Sequence, residues 1–153
     1  MKANKKIVWL LSFFLLFACN NNKADQPGVE DDTTTSYSWQ ARLNDSSGRL
    51  EMIKTEPGVP DSLNPDAVVR YINTTNSNVQ FELVKTSNDT VYVKIKDATF
   101  LTQQMGSTGT TMYLAQVIYN LTEIPGIRYA TLDFVEGDHA APGTYSRESF
   151  VNE

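Results

Sequence analysis

Apolar and polar positions alternate from Tyr37 onward, with Tyr37, Trp39, Ala41 and Leu43 on one side and Ser38, Gln40, Arg42 and Asn44 on the other. A period of two belongs to a strand with one buried face. Asp45–Gly48 reads as a turn, and Leu50–Thr55 as a second, weaker strand stopped by Glu56, Pro57 and Gly58. Asn64, Pro65 and Asp66 then supply a capping side chain, a proline at the first helical position and an acid in the first turn, which together start a helix. Val68, Val69 and Ile72 form its apolar stripe, and the polar run Asn73–Asn78 ends it.

Two alternating segments follow, Val79–Val84 and Thr90–Ile95, and Lys85–Asp89 carries the turn chemistry that joins them as a hairpin. Val91, Val93 and Ile95 are the buried set of the second strand, leaving Tyr92, Lys94 and Lys96 toward water. Asp97–Gly106 reads as a loop, and the hydroxyls of Ser107–Thr111 as caps for the strongest helix of the chain. In that helix Leu114, Val117, Ile118 and Leu121 recur at i, i+3, i+4 and i+7, and Pro125 and Gly126 stop it. A last strand spans Ile127–Val135, buries Ala130, Leu132 and Phe134, and turns out at Glu136 and Gly137. The tail from Ala141 to Phe150 docks on the sheet or serves as a partner-binding arm. The pattern predicts an α+β fold: a small mixed β-sheet with two helices packed on one face, its α-β-β-α-β core preceded by one or two strands.

Gly106–Gly137 resembles the signature half of the GerM-type domain (GerMN, sporulation and spore germination). In that family a Gly/Ser-rich cap precedes a helix with a Gln-hydrophobic-hydrophobic run, a Pro-Gly break and a strand ending in Gly. Gln116–Gly126 carries most of the likeness, and Thr99–Leu101 is similar to the segment before that helix. The resemblance covers roughly residues 50 to 137. It implies a non-catalytic interaction module of the kind found on bacterial envelope lipoproteins, similar in fold to ring-building motifs of secretion and sporulation channels. It supplies no catalytic residues.

The amino terminus changes the picture of where such a domain works. Lys2, Lys5 and Lys6 precede an unbroken apolar run, Ile7–Phe17, too short to span a bilayer comfortably and suited to a secretory leader. Leu16, Phe17, Ala18 and Cys19 resemble a bacterial lipobox, in which the thiol accepts diacylglycerol and the chain is cut before it. The expected organisation is a lipoprotein signal peptide over 1–18, lipidated Cys19 with a disordered tether over 19–36, and a single α+β domain over 37–153. Asn20 is not the aspartate read as inner-membrane retention, so the resemblance points to an outer-membrane anchor on an undetermined face. The tether holds one large apolar residue, Val29, and cannot bury enough to offset its ordering entropy.

Charge excludes some partners. The chain has 13 Lys and Arg against 18 Asp and Glu; without Lys2, Lys5 and Lys6 it keeps 10 against 18, near −8. An acidic surface repels phosphate backbones, which excludes nucleic acid bound through a basic patch. Cys19 is the only cysteine, so an intramolecular disulfide or thiolate metal cluster is excluded. The lone His139 sits beside Glu136 and Asp138, short of the second His or Cys a zinc site wants. Asp133, Glu136 and Asp138 lack the spacing of a calcium loop, and no nucleophile elbow surrounds Ser146 or Ser149. No catalytic residue, cofactor or metal is therefore assigned, and Cys19 is the one site residue. The expected partners are the membrane, through Cys19, and an envelope protein or a second copy of the chain. An envelope hydrolase and a small-ligand-binding lipoprotein are the alternatives.

Overall fold

The computed structural model describes residues 38–55 and 63–151. The expected leader, Cys19, the expected tether, Tyr37 and the stop at Glu56–Gly58 lie outside the described residues. Strands β1 (Ser38–Leu43) and β2 (Leu50–Thr55) pair antiparallel in unbroken register, Ser38 opposite Thr55 through Leu43 opposite Leu50. Helix α1 (Pro65–Thr75) starts where Asn64 accepts a hydrogen bond from the Ala67 amide at 2.9 Å, and it buries Val68, Val69 and Ile72. Strands β3 (Phe81–Ser87) and β4 (Thr90–Ile95) form the second hairpin. Helix α2 (Ser107–Leu121), β5 (Tyr129–Asp133) and the short β6 (Gly143–Tyr145) complete the set.

The main sheet runs β3-β4-β5-β6, parallel between β4 and β5 and antiparallel elsewhere. One face is apolar through alternation, with Val91, Val93, Ile95, Ala130, Leu132 and Phe134 all buried. Leu114, Val117, Ile118 and Leu121 of α2 join them in one core together with the stripe of α1. The α+β class, the mixed sheet and the helices on one face are as expected. The other face is polar: Lys96 pairs with Glu82 at 2.5 Å, Lys94 with Asp133 at 3.6 Å, and the Thr131 and Thr144 hydroxyls meet at 2.8 Å.

Several boundaries differ from the sequence reading, each for a local reason. The two strands expected before the core make a sheet of their own. Leu43, at the turn end of that hairpin, stays 37% exposed. The polar run after Ile72 does not stop α1 until Thr75, because the Thr74 and Thr75 hydroxyls bond back to the carbonyls of Tyr71 and Ile72, both at 2.7 Å. Strand β3 begins at Phe81 and continues to Ser87, so the turn is only Asn88 and Asp89, with Asn88 at φ 53°. Asparagine tolerates that left-handed geometry better than most residues.

Asp97–Gly106 is not a plain loop; Phe100–Gln104 forms a π-helical turn that buries Leu101 completely. The hydroxyls after it do not cap α2 either. Gly106 at φ 74° is the cap residue, Ser107–Thr111 lie inside the helix, and Thr110 donates to the Leu101 carbonyl at 2.8 Å. Helix α2 ends at Leu121, where the Thr122 hydroxyl bonds the Ile118 carbonyl at 2.7 Å, several residues before Pro125. The tail docks on the sheet: β6 pairs with β5, and a 3₁₀ turn, Arg147–Phe150, buries Phe150.

Candidate interaction site

Three parts of the chain meet at the carboxyl end of α2, around Glu123. Its Oε2 accepts from Trp39 Nε1 at 2.8 Å and from Arg147 Nη2 at 2.6 Å, while its Oε1 accepts from Lys54 Nζ. Trp39 and Lys54 belong to the β1–β2 hairpin and Arg147 to the tail, so one carboxylate joins both to the helix. Arg147 also donates to the Thr122 hydroxyl at 2.8 Å and the Tyr119 carbonyl at 3.1 Å. Its guanidinium lies 5.1 Å from the Trp39 ring and 5.0 Å from the Tyr119 ring, and those two rings meet edge to face at 5.2 Å. Cation–π and aromatic contacts of this geometry add to the ion pairs.

The Glu123 side chain is only 15% exposed. Burial alone would raise its pKa, but hydrogen bonds from Lys54, Trp39 and Arg147 outweigh that and hold it at about 2. The carboxylate is therefore ionised through the ordinary pH range. Elsewhere Arg128 grips Asp89 through two nitrogens, at 3.0 and 2.6 Å, and holds that carboxyl below the usual range. This pair ties the β3–β4 turn to the start of β5.

Two asparagines close strand edges in the same way. Asn120, almost fully buried in α2, accepts from the Trp39 amide at 3.2 Å and donates to the Trp39 carbonyl at 3.0 Å. Asn73 in α1 does the same to Phe81 of β3, at 2.8 and 2.9 Å. A side-chain amide sets an N–H donor beside a carbonyl acceptor in one plane, as a neighbouring strand would, and the second N–H of Asn120 donates to the Gln116 carbonyl at 2.7 Å. Gln116 adds a contact from the Ala41 amide at 3.5 Å.

Of the residues singled out in the sequence, Cys19 lies outside the described residues. His139 is anchored by its amide to the Thr102 carbonyl at 3.0 Å, and its Nδ1 lies 3.1 Å from the hydroxyl of Ser107, a residue the sequence does not pair with it. Ser146 and Ser149 are used by a capping box in the 3₁₀ turn. Asp133 faces Lys94, and among the described residues no three His, Cys, Asp or Glu side chains group to hold a metal ion. Gly137 is fixed by close approach, since a Cβ there would stand 2.6 Å from Thr102 Cβ. A shallow cleft of about 290 Å³ beside the Glu123 cluster is lined by Thr122, Ile127, Arg128, Tyr129, Arg147 and Glu148. Sequence reasoning misses Asn120 and Glu123; the only signal for either is a polar residue inside or just after an apolar helix.

No curated protein and no solved structure matches the chain. A family model does match, over residues 41–140, which is more than half of the chain. Trp39 and Arg147 stand just outside that span on either side, so the Glu123 cluster fastens both flanks onto the matched domain. With the α+β architecture and the match in agreement, the chain belongs to the family described as Germane: Sporulation and spore germination.

Proposed function

We propose that this protein is a lipid-anchored bacterial envelope protein whose Germane domain is a non-catalytic module for protein interaction. The observation that carries the reading is the family match from residue 41 onward behind a leader ending in Leu16, Phe17, Ala18 and Cys19. Cleavage before Cys19 would leave its thiol bearing diacylglycerol and its new amine open to acylation. At roughly 0.8 kcal/mol per buried methylene, several acyl chains hold a protein durably on a membrane. The segment from Asn20 to Ser36 then acts as a spacer that reaches at most about 60 Å from the bilayer surface. Asn20 supports outer-membrane delivery. The hydroxyls of Ser146 and Ser149 are tied into a turn, which fits a domain that presents surfaces.

The test is chemical cross-linking of the tagged full-length protein in its own envelope, read by mass spectrometry beside a Cys19→Ala control. A recurring partner that is lost or reduced in the control is expected. A blank result with lipidation confirmed contradicts the interaction reading. Release of fragments from purified peptidoglycan contradicts the non-catalytic one.

A further inference from the structure

Each sheet edge can be asked whether it is closed. In β1, Asn120 and Gln116 occupy the outward groups of Trp39 and Ala41. In β3, Asn73 occupies those of Phe81, and a bulge between Leu83 and Lys85 breaks the register farther along. Strand β6 has three residues and runs directly into the 3₁₀ turn. Bulges, very short strands and covered edges are the usual ways proteins prevent strand addition.

Among the described residues, nothing of the kind blunts strand β2. The amides of Trp39 and Ala41 point to α2, and the Asn44 amide bonds the Arg49 carbonyl at 2.9 Å, which fixes the phase of the hairpin ladder. Trp39–Lys54, Ala41–Met52 and Leu43–Leu50 are therefore the non-hydrogen-bonded pairs. The backbone groups of Leu50, Met52 and Lys54 consequently point away from β1, and no described residue bonds them. Lysine is the common guard of such an edge, but Lys54 is drawn to Glu123 and lies 5.7 Å from the Trp39 ring. The strand is six residues long, has no proline or bulge, and is half-buried except at Lys54.

Resting on the interaction-module reading, we propose that the outer edge of β2 pairs antiparallel with β2 of a second copy of this chain. A strand edge is self-complementary under a two-fold axis, so every outward amide meets an outward carbonyl. Only the even-numbered residues point outward, so they must face one another. Pairing centred on Met52 sets Met52 opposite its own counterpart, Leu50 opposite Lys54, and Glu51 opposite Ile53. No like charges stand directly opposite in that register. Centring on Glu51 or Lys54 sets that charge against itself, which disfavours those alternatives. Five residues of strand bury less than a standard interface of about 1,600 Å². Pairing is therefore weak in free solution and gains from confinement on one membrane.

The experiment uses the full-length protein in its own membrane under mild oxidation. In the proposed register Glu51 and the Ile53 of the second copy form a non-hydrogen-bonded pair with Cα atoms about 4.5 Å apart, close enough for a disulfide. A chain carrying Glu51→Cys and Ile53→Cys should form a disulfide-linked pair, while one carrying Gln40→Cys and Arg42→Cys on β1 should not. Met52→Pro removes an outward amide without touching the β1 ladder, and should lower linkage at least about tenfold while Trp39 fluorescence stays native. Linkage that is absent from the β2 chain, or equal in the two chains, overturns the proposal; this comparison decides the matter even if the proline variant misfolds. Absent linkage in a protein that still captures an envelope partner overturns self-pairing alone. Absence of both takes the interaction reading with it.

Discussion

The main sheet and the β1–β2 hairpin are attached to the same helix by different physics. The sheet meets α2 through Leu114, Val117, Ile118 and Leu121, each at most 5% exposed, against Val91, Val93, Ala130 and Leu132. The hairpin sets Leu50 and Met52 against the core and the Trp39 ring against Tyr119, and adds polar fastenings to the helix end: Asn120 on the Trp39 backbone and Glu123 on Trp39 and Lys54. Apolar packing is spread over many contacts and tolerates the loss of one. A polar fastening concentrates stability in a few groups and leaves buried donors unmet when one is removed. The hairpin is therefore the separable part of the domain, and it is also the part whose outer edge no described residue bonds.

Truncating the core tests one side of that contrast and should have the largest effect. Leu132→Ala, at a position 1% exposed on the apolar face of β5, should cost about 3–4 kcal/mol in urea unfolding and lower the stability of the whole domain. Asn120→Ala should cost about 2–3 kcal/mol, because the Trp39 amide and carbonyl lose their partner. Its loss should register first in Trp39 fluorescence and only later in far-ultraviolet circular dichroism.

Glu123→Gln should cost about 2 kcal/mol at neutral pH by weakening charge-assisted bonds to Lys54 and Arg147. The pH dependence has a definite sign. The folded pKa of Glu123, about 2, lies below its ordinary value of 4.5, so its contribution is complete above about pH 4.5 and is lost as pH falls toward 2. The variant should flatten the acid limb of the stability curve within that window. The smallest effect is expected at Tyr113, whose buried hydroxyl has no partner among the described residues and whose pKa burial pushes up. Tyr113→Phe should raise stability by up to about 1 kcal/mol, measured as a higher melting temperature.

The same contrast explains what the sequence discloses. Periodicity reports which face of an element is apolar, so the stripe of α2, the buried set of β4 and the faces of β5 are legible from the order of residues alone. The family is legible from Gln116–Gly126 for a related reason, because those residues combine that stripe with the turn that ends it. Polar fastenings have no period. Trp39 and Asn120 are 81 residues apart and Trp39 and Glu123 are 84 apart, and nothing in either neighbourhood points to the other. Local misreadings share one cause: hydroxyl and amide side chains serve caps, turns and helix interiors equally well. Thr110 reads as a cap and is a buried bond to Leu101; Thr74 and Thr75 read as a stop and extend α1. A π-helical turn of five residues is too short for its period to show.

Native-state hydrogen exchange on the full-length protein, with and without Glu123→Gln, tests most directly whether the hairpin is held separately. The amides of Val91, Val93 and Leu132 should exchange only through global unfolding, and those of Gln40, Arg42 and Ile53 through a smaller opening. The substitution should speed the hairpin amides more than its global cost explains. Equal protection in both regions, changed equally by the substitution, would contradict a separately fastened hairpin.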